Sequence, residues 1–100
     1  MNAYQQAMRH VLLHRDAGTE RSAQGIVARL RAMVVEPPDT AAALEQIHLE
    51  GPLPPLLEHT PEGLPRYAAE DVASYLRVEI NEVIQALESV PAEERPLELG

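Results

Sequence analysis

The alternation of apolar and polar positions along the chain predicts five short helices and little else. Tyr4, Met8, Val11, Leu12 and Arg15 recur at helical spacing, with Ala7 beside them, so a first helix is expected over about Ala3 to Arg15. Asp16-Ala17-Gly18 then stops it, because Gly18 takes a left-handed cap at no steric cost. Ala23, Ile26, Val27, Leu30, Met33 and Val34 form the cleanest stripe in the chain. This second helix is expected to be capped by Thr19 and ended by Pro37-Pro38. Gly25 inside it either costs about 1 kcal/mol relative to alanine or marks a close helix crossing.

A third helix is expected from an Asp39 or Thr40 cap through Ala41-Ala42-Ala43, Leu44, Ile47 and His48, closed by Gly51 and Pro52. Five prolines fall between Gly51 and Pro65, yet Leu53, Leu56, Leu57 and Leu64 accompany them. A solvated linker has no use for four leucines, so the 51–66 connection is read as ordered and packed on the core. Two further helices follow, at about Ala68 to Leu76 and Ile80 to Ser89. They would bury Ala69, Val72, Ala73 and Leu76, then Ile80, Val83, Ile84 and Leu87. Beyond Pro91 the sequence predicts a frayed, flexible acidic tail over 92–100. The expectation is therefore an all-α single domain over 1–91, with a two-strand addition around the proline-rich segment left open.

Composition sharpens this picture. Apolar residues make up 45% of the chain, the range of folded domains. Phe, Trp and Cys are absent, and three tyrosines are the only large aromatic side chains. The core must then be built from aliphatic side chains on closely packed helices, without disulfides or thiolate metal sites. No charged leader precedes an apolar stretch near the N-terminus, and no apolar run approaches a bilayer span, so a soluble cytoplasmic protein without membrane contact is expected.

The net charge of −8 is divided unevenly. Residues 1–34 hold Arg9, Arg15, Arg21, Arg29 and Arg31 against Asp16 and Glu20, a surplus of three positive charges. Residues 35–100 hold three arginines against fourteen acids, a deficit of eleven. The arginine set offers a phosphate-binding face, a dock for an acidic partner, or a solvated face neutralised by acids of the same chain or a second subunit, and the abundance of acids favours the last.

Residues 67–87, Tyr67 through Val72-Ala73, Leu76-Arg77-Val78 and Val83 to Leu87, resemble the short helix-turn-helix of excisionase-like and MerR-like regulators. Val72-Ala73 matches the inward pair of that family, Leu76-Arg77-Val78 the turn, and Val83 the inward position of the second helix. The resemblance implies a helix-turn-helix-like pair and a setting in transcription or DNA handling. Two departures stand out: Arg77 replaces the glycine such turns favour, and the second helix presents Glu79, Asn81, Glu82, Gln85 and Glu88 where the family presents cations. Three carboxylates would face the phosphates there.

No nucleophile motif surrounds Ser22, Ser74 or Ser89, and no glycine-rich phosphate loop exists, so no catalytic residues are expected. His10 and His14 share a helix face at the spacing of helical metal ligands, but lack the acid of a zinc-protease motif; they are read as surface histidines, with no metal and no cofactor expected. The leading expectation is a non-enzymatic protein-interaction module meeting a basic partner through Glu79, Glu82, Gln85 and Glu88. The alternative is a DNA-binding regulator contacting phosphates through Arg21, Arg29 and Arg31. A homo-oligomer joined through the stripe Ile26, Leu30, Met33 is a further expectation.

Overall fold

A computed structural model describes residues 1–100. Five helices form, α1 (Ala3–Ala17), α2 (Ala23–Val34), α3 (Thr40–Glu50), α4 (Ala69–Leu76) and α5 (Ile80–Glu88). Three short strands join them, β1 (Glu58–His59), β2 (Pro65–Tyr67) and β3 (Glu98–Leu99), with a 3-10 turn at Ala92–Glu94. The fold is thus mostly helical with a small sheet, rather than all-α. No helix is long and apolar enough to cross a membrane.

Local chemistry accounts for the helix ends. The Asn2 and Asp39 side chains accept the N–H groups of Gln5 and Ala42, each at 2.8 Å, and Gly18 stops α1 at φ 72°. The cap of α2 is Ser22, whose Oγ accepts from Gly25 N–H at 3.0 Å, and not Thr19. Thr19 belongs instead to the preceding turn, which lies so close to α2 that a Cβ on Gly25 would collide with the Thr19 carbonyl and the Glu20 backbone. Gly25 therefore marks the close approach of a turn rather than of a helix.

Helix α2 is the spine of the molecule, buried from Gly25 through Leu30 and again at Ala32 and Met33. On one side, Ile26, Val27, Leu30 and Met33 join Val72, Leu76, Val83, Leu87 and Leu97 in the main core. On the other, Ala32 packs with Tyr4, Met8, Val11 and Ala42. The stripe Ile26, Leu30, Met33 is at most 2% exposed, so it is spent inside the chain and is not available to join two copies.

Helix α3 is amphipathic in the reverse sense. Its buried residues are Ala42, Gln46 and Glu50, while Leu44 and Ile47 are 53% and 48% exposed. Polar bonds hold it in place. Tyr4 OH donates to Ala42 O at 2.9 Å, Gln46 Nε2 donates to Ala32 O at 3.0 Å, and Glu50 receives Arg15 and Arg29 at 3.1 Å each.

The proline-rich connection is ordered by strand pairing and not by its leucines, since Leu53, Leu56 and Leu57 are all exposed. Strand β1 runs antiparallel to β2, with Glu58 opposite Arg66, and β3 runs parallel to β2, with Tyr67 opposite Leu99. Parallel neighbours need a long crossover, and α4 with α5 supplies it. Arg66 ties the three strands from the middle one, pairing with Glu58 at 2.6 Å and Glu98 at 3.4 Å. The chain end is consequently no flexible tail. Residues 98–99 complete the sheet, and Leu97 is fully buried in the main core.

Candidate functional site

Helices α4 and α5 meet across the three residues Arg77, Val78 and Glu79. Val72, Leu76 and Val83 are at most 1% exposed, with Ala73, Ala86 and Leu87 buried beside them. The small Ala73 and Ala86 side chains keep the two helices close. Arg77 adopts the left-handed conformation, φ 58° and ψ 45°, and no other non-glycine residue in the chain has positive φ. The turn demands that conformation so that Val78 N–H can reach the Ala73 carbonyl at 3.1 Å. Glycine would occupy it without a Cβ clash, so arginine leaves roughly 1 kcal/mol of backbone strain in the turn.

The outer side of α5 is acidic. Glu79, Gln85 and Glu88 are exposed, as is Asn81. Glu82 differs from its neighbours. Its Oε2 accepts the Glu79 N–H at 2.9 Å, closing the first turn of α5, and also pairs with Arg21 at 3.4 Å. The backbone N–H lowers the Glu82 carboxyl pKa most; slight desolvation opposes this, and the Arg21 guanidinium adds to the lowering. Gln85 and Glu88 are therefore free, while Glu79 and Glu82 together cap the start of α5.

The three arginines expected to meet phosphates part company. Arg31 is exposed and forms no ion pair; Arg21 is exposed but pairs with Glu82. Arg29 is 5% exposed and acts as an internal strut, which removes it from any surface contact with DNA. Its Nη2 donates to the Leu76 carbonyl at 2.7 Å and to Glu50 Oε2 at 3.1 Å, while Nη1 reaches the Glu20 carbonyl at 3.4 Å. Leu76 closes α4, so the guanidinium sits where the helix dipole is negative. Tyr75 lies in the same buried region. Burial, reinforced by the Glu50 charge and partly offset by Arg29, pushes its phenol pKa up to about 12.

Around this strut lies a recess of about 330 Å³, lined by Arg15, Arg21, Arg29 and Arg77 with Glu20, over Leu76. It was not legible in the sequence. The four arginines come from α1, the 18–22 turn, α2 and the turn after α4, and no spacing rule links positions 15, 21, 29 and 77. The left-handed Arg77 gave the one available signal, as the place where the turn pattern calls for glycine.

His10 and His14 line a separate open recess with Arg31 and Glu94. The His14 Nδ1 lies 2.8 Å from Thr19 Oγ1, a local contact across the end of α1. No cluster of three or more histidine, aspartate or glutamate side chains is placed to hold a metal ion. The largest concavity, about 720 Å³, is an open groove between α1 and α3 over Tyr4, Met8 and Leu12, with Glu45 and Asp39 on its rim.

Comparison of the chain with protein-family models, with curated proteins and with solved structures found no match in any of the three.

Proposed function

We propose that this chain is a non-enzymatic protein-interaction module that meets a basic partner through the outer side of α5. The observation that carries the reading is the exposed row Glu79, Gln85 and Glu88, where neither glutamate has a cation within ion-pair distance. Acidic side chains at this density repel DNA phosphates and attract a cationic surface at long range. The helix-turn-helix resemblance of residues 67–87 suggests that such a partner belongs to a transcription or DNA-handling complex. The competing reading, phosphate contact through Arg21, Arg29 and Arg31, loses its middle residue to the core.

A lysine-rich amphipathic helical peptide is a suitable probe, titrated calorimetrically at low salt. The chain should bind it, and Gln85→Lys combined with Glu88→Lys should weaken binding about ten-fold. Both changes fall in the second half of α5, where lysine suits the helix dipole and the fold is preserved. Equal binding by the two proteins, or capture of duplex DNA in place of the peptide, would remove the proposal.

A further inference from the structure

We infer that the arginine recess at the α4–α5 turn is a binding site for a compact phosphate-class oxyanion, either inorganic phosphate or the terminal group of a small phosphomonoester. The first argument is charge. Arg15, Arg21, Arg29 and Arg77 face the carboxylates of Glu20, Glu50 and Glu82, a formal surplus of one positive charge. The rest of the chain carries −9, so this recess is a cationic island in an acidic protein.

The second argument is Arg77. Its backbone is strained in the left-handed region, yet its exposed guanidinium makes no hydrogen bond or ion pair within the fold. Glycine would close the same turn without strain, so the fold itself gains nothing visible from arginine there. Strain retained at a position with no internal use points to an external one.

The third argument is Arg29, pinned on the floor of the recess. Its Nη1 and Nη2 atoms are engaged, but its buried Nε has no partner. Carrying a guanidinium that is 5% exposed and incompletely satisfied costs stability, and an anion in the recess would offset part of that cost through the local field. Planar guanidinium groups present paired N–H donors to oxyanions, and arginines arriving from several elements can reach the oxygens of a tetrahedral group from more than one side.

Size and surroundings select the source. A recess of about 330 Å³ takes a single phosphoryl group with a small substituent. An extended nucleic-acid backbone entering here would run along an exterior that includes Glu79, Glu88 and Glu70, all exposed. The small ligand is therefore the proposal, and nucleic acid is an outcome of the test.

Thermal unfolding followed at constant ionic strength, with chloride replaced by inorganic phosphate and then by glycerol phosphate, reads the site directly. At about ten times its Kd, phosphate should raise Tm by roughly 6 °C. Arg77→Gly should fold with a higher starting Tm, because the strain is relieved, and yet lose most of the phosphate-induced rise. Arg66→Gln removes a guanidinium on the sheet, outside the recess, and should keep the full rise. An equal rise in the parent and Arg77→Gly proteins would mean general salt stabilisation and overturn the site. So would a phosphate response no larger than that of chloride. Duplex DNA binding that Arg77→Gly abolishes, with no response to either small phosphate, would overturn the small-ligand assignment in favour of nucleic acid.

Discussion

Replacing Leu97 with alanine is expected to destabilise the protein by about 3 kcal/mol and to lower Tm by about 15 °C. The residue lies beyond the last helix, in a segment whose sequence reads as frayed. Here it is fully buried among Val72, Val83 and Leu87 in the main core, and the strand that follows it is hydrogen-bonded to β2. Removing its branched end leaves a cavity that α4 and α5 cannot fill without sliding. Leu53→Ala, an equal chemical change at a 47% exposed site, should alter stability by no more than about 0.5 kcal/mol. Urea unfolding of the two variants side by side checks the contrast. Similar midpoints would mean that the end of the chain does not belong to the cooperative core.

The second large effect is expected at Glu50. Its carboxylate is 7% exposed and holds two guanidinium groups, Arg15 and the buried Arg29. Glu50→Ala should cost about 3–5 kcal/mol, because it strands a buried cation rather than merely deleting a contact. Arg29→Met combined with Glu50→Leu should recover most of that loss, since no unpaired charge then remains inside. Differential scanning calorimetry of the single and double variants gives the coupling directly. If the double variant were as unstable as the single one, the pair would be adding net stability beyond satisfying its own burial.

The helices were legible because their signals are local. The stripe of α2, the stop at Gly18, the Asp39 cap and the inward residues Val72, Ala73, Leu76, Val83 and Leu87 all follow from spacing within one or two turns, whereas Ile80, expected inside, is 41% exposed and Ala69 and Ile84 are only half-buried. The sheet was not legible, because strands of two or three residues carry no alternation to read. Leu97 and Leu99 looked like a tail for the same reason. Their role depends on a partner strand about thirty residues earlier. Composition alone places the proline-rich leucines in the core, whereas backbone pairing between Leu57 and Arg66, and between Thr60 and Leu64, orders that segment.

At the candidate site the division is similar. The acidic row on α5 could be read from a helical wheel, and its residues face outward as that reading requires, apart from the part of Glu82 engaged by Glu79 and Arg21. The arginine set could not be resolved in this way. Arg29 lies in the helix α2 that both cores surround, and a helix buried almost all round has no solvent side on which a long cation can rest. Counting charges in the first 34 residues gave the right inventory but could not separate strut, surface and recess.

The reversed polarity of α3 has a consequence for how the molecule breathes. A segment whose inward side is Ala42, Gln46 and Glu50 uncovers little greasy area when it swings away, and each bond it breaks can be remade with water. Its amides should therefore exchange with deuterium through a partial opening that responds weakly to urea. Those of α2, enclosed on both sides, should exchange only when the whole chain unfolds. Identical urea slopes for the two helices would show instead that three polar anchors weld α3 into the same cooperative unit as the hydrocarbon core.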